Sequence, residues 1–277
     1  MLLPDQSLPT SLAPTPVLAP AADLFARRAA RLRQLADQDA DGAGKWLHWL
    51  AELAQAQQAV VDTLPASTGM PPADDAWEVV YAALLRHLHA TSLPTAADVA
   101  AAVPALRDYL RGNSGQGPHE VAEVILAAAL QVVFTHAVRA TPLPAVAEQR
   151  HDLCPCCGSA PLGSIVLAGD GRAGLRYLEC SLCGSRWNAV RARCTLCDDD
   201  GVVSYLGLEN GTDNKPAAVQ AESCEHCHGY VKTFVQERDP QVEPLADDLA
   251  TLALDVLVGE EGFQRGAPNP FLLLGGD

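Results

Sequence analysis

Positive charge is scarce. The 277 residues hold 19 Lys and Arg against 34 Asp and Glu, a formal net charge of −15 at pH 7. That balance argues against broad binding to nucleic acid or to an anionic membrane surface, and leaves room only for a local basic patch. Aromatic residues are few, at 5%, yet apolar residues reach 48%, which excludes a long disordered chain. Long hydrophobic runs are lacking too. The longest candidate, residues 124–138, is interrupted by Gln131, Thr135 and His136 and reads as a buried helix, not a membrane span. Residues 1–20 have no Lys or Arg and five prolines, so a secretory signal is not expected there and a flexible arm is. Arg27-Arg28 opens an amphipathic stretch with no apolar segment behind it, and is read as part of a helix face. A cytoplasmic location is expected.

Cysteine is absent from residues 1–153 and 228–277, and all nine cysteines lie between Cys154 and Cys227. This places a boundary near residue 150, with Pro142 and Pro144 in a linker before it. The expected organisation is an arm at 1–20, a helical domain at 21–150, metal modules at 151–192 and 193–240, and a C-terminal helix and tail at 241–277. The fold class is therefore α+β: a helical bundle, two small tandem β modules of the rubredoxin or zinc-ribbon kind, and a final helix.

The helical reading rests on spacing. Leu24, Leu32 and Leu35 share one face, and Trp46, Trp49, Leu50, Leu53, Val60 and Val61 follow the three-and-four rhythm of a buried stripe. Asp75 with Glu78, and Thr95 with Asp98, have the spacing of capping boxes. Residues 121–134 are apolar on two faces, as suits the centre of a bundle of five to seven helices. Near the C-terminus, Pro244 is expected to start one helix whose face carries Leu245, Leu249, Leu252, Val256 and Leu257, ended by Gly259. Trp46, Trp49 and Trp77 are read as core. His48, His87, His89, His119 and His136 are read as surface or satisfied histidines, with no catalytic constellation among them.

Chemistry concentrates in four Cys-x-x-Cys pairs: Cys154/Cys157, Cys180/Cys183, Cys194/Cys197 and Cys224/Cys227. Two thiolates at this spacing lie on one tight turn, and two such turns complete a tetrahedron around a metal. Gaps of 22 and 26 residues between successive pairs each accommodate a hairpin, so Cys154, Cys157, Cys180 and Cys183 form one expected site and Cys194, Cys197, Cys224 and Cys227 the other. An interleaved pairing stays open. Disulfides and thioredoxin-type redox pairs are the weaker readings for four such motifs in a chain expected in a reducing compartment. Cys156 is left as a spare thiol, and His226 and His228 as side chains flanking a complete set. Each module is too small to fold on its own core, and metal supplies roughly 10–16 kcal/mol per site in comparable peptides. Four sulfurs suit zinc and iron alike.

Between residues 171 and 193 five arginines, Arg172, Arg176, Arg186, Arg191 and Arg193, face a single acid, Glu179, with Tyr177 and Trp187 interleaved. Arginine with aromatics is the composition of a docking hot spot, and these seven side chains are the candidate partner-binding residues. A solvated ribbon face, with Arg stems lying over apolar surface, is the plainer alternative.

Several of these segments resemble the formate dehydrogenase accessory protein family, FdhE: Cys154-Pro155-x-x-Gly158; Gly174-Leu175-Arg176-Tyr177-Leu178-x-Cys180-x-Leu182-Cys183; and Trp187-x-x-Val190-Arg191-x-x-Cys194. So do Cys224-x-x-Cys227-x-x-Tyr230-x-Lys232 and the ending Gly262-x-x-Arg265-Gly266 with Asn269-Pro270-Phe271. The resemblance implies a non-enzymatic cytoplasmic maturation factor that binds the catalytic subunit of a respiratory formate dehydrogenase. It also implies two rubredoxin-like modules that carry two metal ions, iron ahead of zinc, on the eight paired cysteines. No nucleic acid and no membrane insertion are implied. A one-electron redox protein and an RNA-binding ribbon protein are the competing readings.

Overall fold

The computed structural model describes residues 16–38, 43–90, 92–113, 116–145, 152–169, 171–191, 193–201, 203–208 and 216–273. Residues 1–15 of the expected arm and 146–150 of the expected linker lie outside these. Among the described residues, six α-helices fill the first half: α1 (Leu24–Gln38), α2 (Gly44–Val61), α3 (Ala76–His87), α4 (Ala96–Val99), α5 (Val103–Leu110) and α6 (Val121–Arg139). The predicted box at Thr95 forms, with the Thr95 N–H donating to Asp98 at 2.9 Å. Asp75 precedes α3 but its side chain caps nothing, because the residue is itself in a helical conformation and its carboxylate does not turn back onto the first turn.

α6 is the centre of this half, with nearly every side chain from Ala122 to Val138 buried. At 19 residues it is long and apolar enough to cross a membrane by length and composition, longer than its interruptions led one to expect, but 83% of that stretch is buried against the rest of the chain. Trp77 is buried, whereas Trp46 and Trp49 are half-buried at the margin of the core and stack at 4.8 Å.

The second half is built on one sheet. Its strands are β1 (Val17–Leu18), β2 (Pro161–Val166), β3 (Arg176–Cys180), β4 (Arg186–Asn188), β5 (Val203–Leu206), β6 (Val219–Cys224), β7 (Gly229–Val235) and β8 (Gln264–Arg265). The order is β1-β4-β3-β2-β7-β6-β5, with β8 beside the start of β7. The two cysteine modules are thus halves of one sheet. They join where β2 and β7 run parallel, Ser164 opposite Thr233 and Val166 opposite Val235. Gly163 permits this approach, since a Cβ there would sit 2.6 Å from the Lys232 carbonyl oxygen. Residues 17 and 18, expected in the arm, form an edge strand, with Val17 opposite Trp187.

Each face of the sheet covers a different core, because successive residues of a strand point to opposite sides. Leu162, Leu178 and Trp187 face the helices and merge with their core, together with Cys154, Cys180 and Cys183. Ile165, Tyr177, Val219, Ala221 and Phe234 face the other way and pack on Leu254 and Val258.

The C-terminal segment is two helices, α7 (Pro244–Ala250) and α8 (Leu252–Glu260), not one. The ladder breaks at Thr251 because Lys232 Nζ takes the Asp248 and Thr251 carbonyls at 2.9 and 3.1 Å. The apolar face shifts with the break. Leu245, Leu249, Leu254 and Val258 are buried, while Leu252, Val256 and Leu257 are exposed. Phe271 is fully buried, so this part of the tail packs onto the body.

Candidate metal centres

Both modules repeat one order: knuckle, strand, strand, knuckle, strand. In each, the third cysteine, Cys180 or Cys224, is the last residue of the second strand. That strand carries the second knuckle to the first. The turns are closed by backbone bonds such as Gly158 N–H to Cys154 O at 2.8 Å and His228 N–H to Cys224 O at 2.9 Å. Amide groups also point at sulfur. Leu182 and Cys183 N–H donate to Cys180 Sγ, and Leu196 N–H to Cys194 Sγ, each at 3.4 Å.

These turns bring the eight sulfurs into two groups, sequential as the gaps imply: Cys154, Cys157, Cys180, Cys183, and Cys194, Cys197, Cys224, Cys227. Within each group every sulfur lies within 4.8 Å of the others. Cys154 and Cys183 are 3.6 Å apart and Cys157 and Cys180 3.4 Å; Cys194 and Cys227, and Cys197 and Cys224, are each 3.8 Å apart. A tetrahedron with metal–sulfur bonds of about 2.3 Å has edges of about 3.8 Å. The groups therefore fit a four-coordinate ion, and the sulfurs are far beyond bonding distance of one another.

The thiols of each group differ in acidity. Burial pushes the Cys154 and Cys180 thiols up, while hydrogen bonds from Cys154, Cys180 and Cys183 hold Cys157 well below the usual thiol range. In the second group burial pushes Cys194 and Cys227 up; at Cys224 the N–H groups of Cys227 and His226 outweigh burial and bring it down. Four crowded sulfurs share protons until a cation replaces them. Cys156 is half-buried and belongs to neither group.

The surroundings of the two groups differ. Helix α6 holds the first: Thr135 Oγ1 donates to the Cys183 carbonyl at 3.1 Å and Gln131 Nε2 to the Ser181 carbonyl at 2.8 Å. Gly158 and Gly184 follow its knuckles at φ of 73° and 69°. In the second group the same positions are Asp198 and His228, at φ of 60° and 53°, where a side chain is strained. Cys197 and Cys227 are exposed, and His226 Nδ1 lies 3.8 Å from Cys197 Sγ.

Three of the expected docking residues are not at the surface. Arg176, Tyr177 and Trp187 are at most 2% exposed. Tyr177 and Trp187 are core residues on opposite faces of the sheet. Arg176 is drawn inside by Glu222, 2.6 Å away, and it also donates to Thr195 in the second group's first knuckle and to the Val190 carbonyl. It thus ties the strand that carries Cys180 to the turn that carries Cys194. Arg186 is half-buried and paired with Glu179 at 2.7 Å. Arg172, Arg191 and Arg193 remain exposed, with Arg193 paired to Asp198 at 2.9 Å. A cavity of about 640 Å³ lies between α1 and residues 236–243. Its arginines, Arg27, Arg31 and Arg186, are each paired with a carboxylate.

Residues that spacing did not explain form a buried ionic cluster. Lys232 Nζ lies 3.0 Å from Asp248 and 2.6 Å from Asp255; Arg265 reaches both acids; Tyr230 donates to Asp255 and Asn269 to Asp248, each at 2.7 Å. The alternation Tyr230-x-Lys232 was the available signal, since it places both side chains on one face of a strand.

The fold and its sulfur groups define a class: proteins with two four-cysteine modules of the rubredoxin and zinc-ribbon kind behind a helical domain, able to hold two metal ions. Within that class the chain belongs to the FdhE family. Models of the FdhE N-terminal region, central domain and C-terminal domain match residues 13–125, 153–191 and 192–272. The FdhE homolog of Pseudomonas aeruginosa is 37% identical over 100% of this chain and 99% of its own. FdhE of Escherichia coli K12 is 33% identical over 91% of this chain and 89% of its own. The crystal structure of the Pseudomonas aeruginosa FdhE protein superposes with a TM-score of 0.75 at 35% identity, covering 94% of this chain and 100% of that one.

Proposed function

We propose that the chain is a non-enzymatic accessory factor that binds the catalytic subunit of a respiratory formate dehydrogenase in the cytoplasm and is needed for that enzyme's activity. The observation that carries this is full-length membership of the FdhE family together with two intact four-sulfur groups. Iron is the metal proposed for both. When bound to four thiolates it supplies structural energy and a one-electron couple. The eight cysteines hold it, and the amide groups aimed at Cys180 and Cys194 offset thiolate charge. Arg172, Arg191 and Arg193 are the exposed residues proposed to meet the client.

A tagged chain expressed in formate-respiring cells without oxygen is expected to co-purify with the catalytic subunit. Reversing charge at Arg172 and Arg191 is expected to weaken that recovery while leaving metal content unchanged. Absence of the subunit under these conditions contradicts the proposal.

The exposure of Cys197 and Cys227 favours a second reading, in which the second group exchanges an electron. Visible absorption that bleaches on reduction and returns on oxidation supports it; a colourless zinc protein opposes it.

A further inference from the structure

The sheet face that packs on the helices over the first module lies open over the second. Leu178 faces the helices, and Arg176, two residues earlier on β3, points the same way. Register carries that face across the sheet: Val166 lies opposite both Arg176 and Val235, and Gln220 opposite Thr233. These residues line a cavity of about 310 Å³, to which no helix contributes among the described residues. The polar floor is partly satisfied from within. Thr233 Oγ1 donates to Glu222 at 3.2 Å, and Glu222 holds Arg176 at 2.6 Å. Arg176 Nε, buried with the rest of its side chain, has no acceptor among the described residues. The rim is different again. Arg191 and Arg238 line the same cavity, both are exposed, and neither pairs with a carboxylate among the described residues; Arg238 donates to the Ala217 carbonyl at 2.7 Å. In the cavity beside α1, by contrast, each arginine has its carboxylate. Tyr205, 47% exposed, completes the rim, and the acid in the lining is Glu237.

We propose that this groove seats an acidic side chain of a polypeptide partner, with its carboxylate on Arg191 and Arg238 and its apolar neighbours against Tyr205. The proposal rests on the reading that the chain binds a client protein, and names the chemistry by which one face does so. Charge sets the class of ligand. Arg176 and Glu222 cancel, and the two rim arginines against Glu237 leave 2 − 1 = +1. One surplus positive charge, in a chain of net −15, matches a single carboxylate and falls short of a phosphate dianion. Guanidinium suits the task because its fork can take both carboxylate oxygens. Size and exposure set the source. Sites for free small molecules span about 300–1,000 Å³ and enclose most of their ligand. This cavity is at the small end of that range, and its cations stand in solvent. Arginine and tyrosine on an open rim are instead the composition of a protein hot spot. A partner's own surface supplies the cover that the groove lacks, and the water it displaces strengthens the charge pair.

Fluorescence titration of the full-length chain, purified without oxygen, tests this with dansylated Leu-Glu-Leu amide and its Leu-Gln-Leu counterpart, whose label carries no charge. The glutamate peptide is expected to bind at least about tenfold more tightly than the glutamine peptide, the effect of one charge-assisted contact. Arg191→Gln/Arg238→Gln is expected to erase that difference while the circular dichroism stays native. Arg27→Gln, in the other cavity, is expected to leave it intact. Glu237→Gln is expected to tighten the glutamate peptide a few-fold by removing the opposing charge, a gain that a merely structural role for Glu237 does not produce. The proposal is overturned if the native chain binds both peptides alike, or if the double arginine variant still discriminates between them. Tighter binding of the phosphoserine counterpart overturns the assignment to a carboxylate, and equal binding of free dansyl-glutamate overturns the polypeptide source. A chain that prefers the glutamate peptide yet recovers no catalytic subunit from formate-respiring cells overturns the client and leaves the groove; recovery of the subunit without that preference overturns the groove alone.

Discussion

The two four-sulfur groups share a turn geometry and differ in what stands behind it. The first has the helical core as its wall. Cys154, Cys180 and Cys183 are packed into the same cluster as α2, α3 and α6, and glycine fills both strained positions after its knuckles. The second sits in the other half of the sheet with two sulfurs in solvent, an aspartate and a histidine at those positions, and an arginine from the other module bracing its first turn. The lesson is that identical ligand spacing does not make equivalent sites. The same motif becomes a keystone where the rest of the chain folds around it and an open centre where the chain merely supports it.

Removing one ligand from each group breaks the comparison most sharply. A tetrathiolate site contributes roughly 10–16 kcal/mol, as much as the whole stability of an ordinary domain. Cys180→Ser is therefore expected to unfold the helices together with the first module, because they share a core. Cys227→Ser is expected to lose one metal and keep the helical circular dichroism. Thermal melts with metal analysis distinguish the two.

Arg176→Met comes next. It leaves Glu222 buried and uncompensated, at a cost of about 3–5 kcal/mol. The loss is expected to fall on the second site, whose metal affinity drops while the first keeps its ion; equal weakening of both denies that Arg176 braces only the second.

Asp248 lies outside both sulfur groups, in the ionic cluster that joins Lys232 and Arg265. Burial raises its pKa, but Arg265 and Lys232 more than reverse this and hold the carboxyl down at about 2. A depressed carboxyl stabilises the fold above its unfolded value near 3.8 and loses that contribution as pH falls from about 4 to about 2, a loss of roughly 2 kcal/mol. Asp248→Asn is expected to cost a similar amount at neutral pH and to flatten the acid limb of the stability curve. Chemical denaturation across that range reads both effects.

The smallest effect has the opposite sign. His228→Gly relieves a positive φ of 53° and is expected to strengthen retention of the second metal by up to about 1 kcal/mol, visible as a slower release to a chelator.

Much of this was legible in the chain itself. Cysteine spacing named the eight sulfurs and their sequential grouping, and apolar periodicity located the helices and the central position of α6. What was hidden depended on partners distant in sequence. The parallel pairing of β2 with β7 joins residues about 70 positions apart and has no local mark. Arg176 and Tyr177 read as surface because a strand buried on both faces does not alternate, and because the partner that draws Arg176 inward, Glu222, comes 46 residues later; Trp187, on a strand that does alternate, faces a helical core whose approach has no local mark. The break at Thr251 is made by Lys232 from another strand, so a continuous helical rhythm runs straight through it. Val17 and Leu18 look like part of a proline-rich arm until Trp187 and Arg186 provide an edge to pair with.

The central claim is that the chain holds two metal ions in unequal sites. Protein purified without oxygen and mixed with a chromophoric chelator tests it directly. Two equivalents are expected, one released at least about tenfold faster than the other, with the slow one leaving only as the helices unfold. Release of both at one rate, or a chain that carries no metal and keeps its helices, would contradict it.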